Sequence, residues 1–162
     1  MSNNTDSTRN KPTTLTQAVV TTNIDVRFAE TDLMGVVHHA AYIVWFEVGR
    51  IEWMKAAEMP YTEIAASGHH FAVTGINAAY RTAVRFGGAL ELRTHLSLLR
   101  SRKVQFTYEL VHKATDEQPE VIAATGTSDH ICVDLENRMA KIPADIMQRL
   151  LDGAEKISQQ VT

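Results

Sequence analysis

The order of hydrophobic patterns restricts the fold more than any other feature of the chain. Residues 39–58 have apolar positions at three-and-four spacing, with Pro60 just beyond them, which predicts one long helix. Two-residue alternation, the pattern of half-buried strands, covers residues 19–28, 71–80, 90–98, 104–110 and 121–133. Because the last four strands follow one another with short connections, the sequence predicts an α+β fold whose antiparallel sheet packs on the helix.

The ends of the chain complete the predicted organisation. Residues 61–66 predict a short helical turn, and Pro143 is expected to begin a short C-terminal helix that ends at Gly153. Ser, Thr and Asn dominate the first residues, which leaves little to bury there. The predicted division is a disordered N-terminal tail over residues 1–17, a single domain over 18–156 and a C-terminal tail over 157–162.

Two further features predict close packing. Gly49 lies inside the long helical pattern, where it costs about 1 kcal/mol relative to Ala, so we expect the backbone to approach a neighbouring element there. The small C-terminal helix cannot cover a second sheet face that also carries Ile, Val and Ala. We therefore expect protomers to pair and share a surface.

Composition excludes several classes of function. The chain has 162 residues, 22% of them charged, and a formal net charge of -3, so it is not a strong electrostatic partner for nucleic acid. The longest apolar stretch, residues 35–46, is interrupted by His38 and His39 and is shorter than the roughly 20 residues that span a membrane. Cys132 is the only cysteine, so no internal disulfide is possible and we expect a cytoplasmic protein.

Residues 26–42 carry the predicted chemistry, because there an acid stands just ahead of a helix N-terminus. The first N–H groups of a helix lack internal partners and can stabilise a developing oxyanion. Asp32 can supply the attacking oxygen or its base, and Gly35 permits the sharp turn between them. The alternative role for Asp32, capping or a turn, is favoured by spacing alone, although it lies seven residues before His39.

Residues 31–42, Thr-Asp-Leu-Met-Gly-Val-Val-His-His-Ala-Ala-Tyr, resemble the signature of hot-dog-fold acyl-CoA thioesterases of the 4-hydroxybenzoyl-CoA thioesterase type. Further similar segments are residues 42–47, 80–92, 100–106 and 132–134, and the resemblance spans roughly residues 23–151. It implies a hot-dog fold, a five-stranded antiparallel sheet wrapped around one long helix. It also implies a homo-oligomer, either a dimer that joins two sheets and has active sites at its interface, or a dimer of dimers.

The resemblance also implies roles for individual residues. Asp32 matches the catalytic acid, acting as nucleophile or as general base on water, and His39 matches the residue whose backbone N–H polarises the thioester carbonyl. The imidazole of His39 is then a bystander or lines the pocket. The implied reaction hydrolyses an acyl-CoA with an aromatic or a short to medium acyl group, and needs no cofactor beyond the CoA of the substrate.

The remaining candidates concern substrate binding. The predicted set is Gly35, His38, Tyr42, Glu47, Arg100, Arg102 and Lys103. The three basic residues can pair with CoA phosphates or form a solvated hairpin rim. Glu47 is a possible alternative carboxylate, but an ion pair with Arg50 at i,i+3 is the preferred interpretation. His38 and Gly88 depart from the family pattern and leave the shape of the acyl pocket open.

Alternative functions remain open at this point. Adjacent histidines such as His38 and His39 point about 100° apart on a helix, and no His-Glu-x-x-His spacing occurs, so we expect no metal site. A noncatalytic acyl-CoA-binding module and a thioesterase for acyl-carrier-protein substrates are the alternatives. A hot-dog dehydratase ranks lower, because the histidine-containing motif expected of those enzymes is not found.

Overall fold

A computed structural model describes residues 15–160 of the chain. Within that range it contains three α-helices and one sheet of five strands. In chain order the elements are β1 Val19–Ile24, α1 His39–Ala56, α2 Tyr61–Ala66, β2 His70–Tyr80, β3 Leu90–Leu99, β4 Lys103–His112, β5 Val121–Val133 and α3 Ala144–Gln160. The sheet is antiparallel with strand order β1-β3-β4-β5-β2, and α1 lies across one face. This is the predicted hot-dog fold.

The core lies between α1 and the inner face of the sheet. Trp45, Phe46 and Trp53 of α1 are buried, and Phe46 stacks on Tyr108 of β4 with ring centroids 4.5 Å apart. Gly49 faces β3 so closely that an added Cβ would lie 2.4 Å from the Thr94 hydroxyl. The predicted close approach at Gly49 is therefore confirmed.

The outer faces of β3 and β4 are mostly polar, whereas the outer face of the sheet carries some of the expected apolar residues on β2 and β5, such as Ala72 opposite Ile131. Every second residue of β3 and β4 points inward and is buried, and the intervening ones are Glu, Arg, His, Ser, Gln and Thr. The exposed apolar residues lie elsewhere, because α1 sits over β1 and β3 and leaves the β2 edge uncovered. They include Ile43, Val44 and Val48 on α1, and Val73 and Ile76 on β2.

The first strand ends earlier than the alternation predicts. β1 stops at Ile24, and Phe28 begins a short 3-10 helix, Phe28–Glu30, with 76% of its surface exposed. The reason is local, since the Arg27 N–H donates to the Glu30 carboxylate at 2.8 Å and turns the chain away from the sheet. The prediction of a strand through Phe28 is wrong.

The domain also extends further at both ends than predicted. Gly153 lies inside α3 rather than at its end, because α3 crosses the end of α1 there and an added Cβ would lie 2.4 Å from the Ala57 carbonyl oxygen. Ile157 is buried, so the predicted tail boundary at 157 is too early. Leu15–Gln17 forms a 3-10 turn, and Leu15 packs against the core. The rest of the predicted tails, residues 1–14 and 161–162, lies outside the described residues.

In the part of the chain that the structure covers, none of the helices combines the length and the apolar character needed to cross a membrane. The expectation of no membrane insertion rests on the same property of the sequence.

Candidate active site

The loop that carries Asp32 is a tight hairpin between β1 and α1. Thr31 and Val37 form an antiparallel bridge, and the Asp32 N–H donates to the Val36 carbonyl oxygen at 2.8 Å. Gly35 has a φ of 71°, in the left-handed region where glycine carries no steric cost, and its N–H donates to the Asp32 carbonyl oxygen at 2.9 Å. Gly35 therefore makes the turn that the sequence predicted.

The carboxylate of Asp32 is held by its own loop. Its Oδ1 accepts the N–H groups of Met34 at 2.8 Å and Val36 at 3.2 Å, which is the turn interaction that the sequence spacing favoured. Within residues 15–160, Oδ2 accepts no hydrogen bond, and the side chain is exposed in the single chain. The loop thus fixes the carboxylate through Oδ1 and leaves Oδ2 without a partner in the described chain.

The helix start leaves one N–H group unused. His38 is the N-cap residue of α1: its Nδ1 accepts the Ala40 N–H at 3.3 Å, and its carbonyl oxygen accepts the Ala41 N–H at 3.0 Å. The His39 N–H has no acceptor among the described residues. Asp32 is thus not the helix cap, and the positive end of the helix dipole presents a free donor at His39.

Contacts from distant parts of the chain hold this arrangement, and no sequence pattern indicated them. The Nη1 of Arg85 donates to the Met34 carbonyl oxygen at 3.1 Å and to that of Gly35 at 3.4 Å. The Tyr80 hydroxyl donates to the His39 carbonyl oxygen at 3.1 Å. These residues lie on and after β2, so no local spacing relates them to the loop.

A buried carboxylate joins the loop to the helix. Glu30 accepts hydrogen bonds from the Arg27 N–H and guanidinium and from Trp45 Nε1 at 3.2 Å, and its carbonyl oxygen accepts the His38 N–H at 2.7 Å. Burial favours the neutral acid, but these hydrogen bonds outweigh it and lower the pKa of Glu30. Glu30 therefore stays ionised, and it connects Arg27, which precedes the Asp32 loop, to the beginning of α1.

Two predicted binding residues on α1 have different surroundings. Tyr42 is buried, with its ring edge-on to Tyr80 at 4.9 Å, and burial raises the pKa of its hydroxyl. Glu47 is exposed five residues further along α1 and makes no ion pair with Arg50 within the described chain, so the preferred pairing is wrong. Arg50 instead turns its side chain inward, where it is buried.

The basic cluster is far from Asp32 in the single chain. Arg100, Arg102 and Lys103 are exposed at the hairpin between β3 and β4, whereas the Asp32 loop lies at the opposite end of the sheet, beside the pair Ile24 and Leu90. The ten residues of β3 separate the two ends by about 33 Å. One chain therefore brings Asp32, Gly35, His38 and His39 together, but not the basic residues.

A family model matches most of this framework. The model of the thioesterase-like superfamily aligns with residues 26–150, which include the Asp32 loop, α1 and four of the strands. The chain belongs to the thioesterase-like superfamily. As a member of this superfamily it is a thioester hydrolase.

Curated relatives agree with this membership. A Bacillus subtilis (strain 168) protein provisionally named the acyl-CoA thioesterase YneP is 34% identical over 114 residues, which is 70% of this chain and 79% of the relative. The acyl-CoA thioester hydrolase YbgC of Escherichia coli O6:H1 is 25% identical over 127 residues, 76% of this chain and 90% of YbgC.

Solved structures of other proteins show the same fold. TT1821 of Thermus thermophilus superposes with a TM-score of 0.73 at 38% identity, over 80% of this chain and 95% of TT1821. A 4-hydroxybenzoyl-CoA thioesterase variant with bound 4-hydroxybenzoyl-CoA superposes with a TM-score of 0.74 at 13% identity, over 82% of this chain and 99% of that chain. At that identity the likeness concerns the fold alone.

Proposed function

We propose that this protein hydrolyses an acyl-CoA thioester to a free acid and CoA, with Asp32 as nucleophile or general base and the His39 N–H as oxyanion donor. The observation that carries the proposal is the unused His39 N–H at the helix start, next to a hairpin that holds Asp32 with one oxygen free. The relatives named as acyl-CoA thioesterases support the choice of substrate class.

The chemistry needs little more than these two groups. A thioester carbonyl whose oxygen accepts the His39 N–H becomes more electrophilic, and the helix dipole stabilises the negative charge that develops there. If Asp32 attacks directly, an acyl-enzyme anhydride forms, CoA leaves as a thiolate, and water then releases the acid. If Asp32 is a base, it takes a proton from water, and that water attacks the carbonyl once.

The proposal includes an oligomer. β2 is an edge strand whose inner-face residues Val73 and Ile76 are exposed, so two copies can join their β2 edges antiparallel and cover them. Such pairing reverses the partner's sheet relative to this one and places the partner's β3–β4 hairpin at the same end as Asp32. Arg100, Arg102 and Lys103 then reach the CoA phosphates of the neighbouring site. A dimer or a dimer of dimers satisfies this arrangement.

The acyl group in this proposal is aromatic or of short to medium length, and it is held near Gly35, His38, Tyr42 and Glu47. No resident cofactor is part of the reaction. We place the reaction in the cytoplasm, because the buried Cys132 is the only cysteine and no internal disulfide is needed.

Thiol release tests this function directly. Purified protein is mixed with a panel of aromatic and aliphatic acyl-CoA thioesters, and free CoA is followed with a chromogenic disulfide reagent. Burial raises the pKa of the Cys132 thiol, so the folded protein contributes little background. We expect steady turnover of at least one acyl-CoA. Binding of acyl-CoA without any thiol release would contradict hydrolysis and favour a noncatalytic binding module. Thiol release only from acyl-carrier-protein thioesters would show that these, and not acyl-CoAs, are the substrates.

A further inference from the structure

A second feature of α1 lies beyond the Asp32 site. A cavity of about 40 Å³ opens between α1 and the inner face of β2, β4 and β5. Its lining consists of apolar residues and of five polar ones, Glu47, Arg50, Tyr108, Ser128 and His130. Five polar side chains around so small a space are unusual for a hydrophobic core.

Two of these polar side chains are buried and carry nitrogen atoms without a well-aligned hydrogen bond. Arg50 is 9% exposed, and its Nη1 has no acceptor among residues 15–160. Its guanidinium carbon lies 5.8 Å from the centre of the Tyr61 ring. His130 is 2% exposed, and its ring lies close to the backbone of Val104 and Ser128 without forming a well-aligned hydrogen bond in the described chain. Buried polar groups are normally paired, so each of these unpaired atoms lowers stability unless another molecule satisfies it.

The other three polar residues of the cavity are either hydrogen-bonded or exposed at its opening. The Tyr108 and Ser128 hydroxyls are 2.6 Å apart and hydrogen-bonded to each other. Glu47 is exposed at the opening. Burial, with the nearby charge of Arg50, lowers the pKa of His130 to about 4, so its ring is neutral near pH 7. Arg50 is therefore the buried positive charge of the lining, and Glu47 at the opening is its only acidic member.

The cavity lies on the side of α1 that also carries the proposed oxyanion donor. His39, Ile43, Glu47 and Arg50 follow one another at spacings of four, four and three, which places them on one helix face. Arg50 is about 16 Å from His39 along the axis, and side chains on a helix lean towards its N-terminus, which shortens that span. Apolar side chains that are exposed in the single chain, Ile43, Val73 and Ile76, line the way between, and in the proposed dimer this path runs along the subunit interface.

We infer that this cavity binds an oxygen atom at the far end of the acyl group, a carboxylate or a hydroxyl, and that Arg50 and His130 make the enzyme selective for acyl-CoAs with such an end. This inference rests on the proposed function for the position of the thioester. A cavity of about 40 Å³ accepts a group little larger than a water molecule, such as a carboxylate or hydroxyl, and excludes an aromatic ring. The apolar path holds the chain that connects the two ends.

The test measures binding of CoA thioethers, which cannot be hydrolysed and therefore report on the cavity even if Asp32 has another role. The three ligands are S-hexyl-CoA, S-(6-hydroxyhexyl)-CoA and S-(5-carboxypentyl)-CoA, and their dissociation constants are measured by calorimetry. We expect at least one oxygen-bearing ligand to bind about tenfold or more tightly than S-hexyl-CoA, because it supplies a charge-assisted hydrogen bond to Arg50. The ligand that binds more tightly of these two shows whether the natural group is a carboxylate or a hydroxyl.

Substitutions in the cavity test whether Arg50 and His130 cause this preference. Arg50→Met keeps the length of the side chain and should remove the preference while changing the affinity for S-hexyl-CoA less than about threefold. Lys55→Met is the matched control, because Lys55 is an exposed cation on the same helix and pairs only with Glu52 among the described residues. Circular dichroism checks whether Arg50→Met folds. If it does not, His130→Leu serves as the second cavity variant, and it should weaken the preference.

Three outcomes overturn the inference. The first is equal affinity of the wild type for the three ligands. The second is an equal loss for all three in Arg50→Met. The third is an Arg50→Met protein whose subunit association changes while its preference for oxygen-bearing ligands does not. That result would indicate that Arg50 pairs with a carboxylate of a second copy of the chain. Loss of turnover in Asp32→Asn tests the proposed function separately and does not enter this comparison.

Discussion

The guanidinium of Arg85 donates to the Met34 carbonyl oxygen at 3.1 Å, across the turn that carries Asp32. Arg85 is joined to the same hairpin through a bridge to Val36. This contact connects the segment before β3 with the loop before α1, which are far apart in sequence. We therefore expect Arg85 to position the Asp32 carboxylate through the backbone of its turn.

Replacing Arg85 by Met should release the hairpin and lower turnover by about 10- to 100-fold, because small displacements of a reacting group are costly in rate. The measurement is kcat and KM for acyl-CoA hydrolysis, with circular dichroism as the check on folding. Arg81→Met is the control, since Arg81 is exposed and its side chain makes no hydrogen bond within residues 15–160. Equal activity of both variants would show that Arg85 does not position Asp32.

Gly35→Ala should reduce both stability and turnover. Its φ of 71° strains any side chain, at a cost of about 1 kcal/mol, and the new Cβ would lie 3.4 Å from Arg85 Nη1. Gly87→Ala is the control, because Gly87 has a φ of 81° and nothing within 4 Å of an added Cβ. Chemical denaturation should show a similar loss in both variants, whereas thiol release should fall only in Gly35→Ala. A turnover loss of the same size in Gly87→Ala would attribute the effect to general destabilisation.

Gly49→Ala tests the contact between α1 and the sheet. An added Cβ would lie 2.4 Å from the Thr94 hydroxyl and 2.6 Å from Leu92, so the free energy of unfolding should fall by roughly 1 to 3 kcal/mol although Ala favours helix. Gly75→Ala, where the nearest atom is an ordinary 3.5 Å away, is the control and should change stability by less than about 0.5 kcal/mol. Urea denaturation measures both. A stabilised Gly49→Ala protein would contradict this packing.

His130 predicts how stability depends on pH. Its pKa of about 4 in the folded protein lies below the unfolded value of about 6.5, so only the unfolded chain takes up a proton as pH falls through this range. The free energy of unfolding should therefore decrease from pH 6.5 to pH 4, by an amount on the order of 2 kcal/mol from this residue. His130→Leu should flatten the curve there and leave stability near pH 8 close to the wild-type value. An unchanged slope in His130→Leu would assign the effect to other groups.

The sequence predicted the helices and strands well because their patterns are local. Apolar spacing in α1 and alternation in β3, β4 and β5 depend only on neighbours in the chain, and the observed elements lie within a few residues of the prediction. Phe28 and Gly153 were misplaced for a different reason. A buried Glu30 turns the chain after β1, and the end of α1 requires a small residue inside α3. Neither cause can be read from hydrophobic periodicity.

The candidate site divides in the same way. Asp32, Gly35 and His39 belong to one continuous segment, so the sequence alone was enough to propose that they act together. Arg85 and Tyr80 support that segment only after the chain has folded, so spacing could not reveal them. The unpaired Arg50 was also missed, because a Glu three residues earlier suggested an ion pair that the structure does not form.

The most direct test of the central claim is the turnover number of Asp32→Asn with an acyl-CoA substrate of the wild type. The exposed Asp25, which lies just after β1, supplies the matched control Asp25→Asn. Both substitutions remove one negative charge from the same region. We predict that Asp32→Asn lowers kcat by roughly 10² to 10⁴ while Asp25→Asn retains wild-type turnover and both proteins stay folded. Undiminished thiol release by folded Asp32→Asn would contradict a catalytic role for this carboxylate.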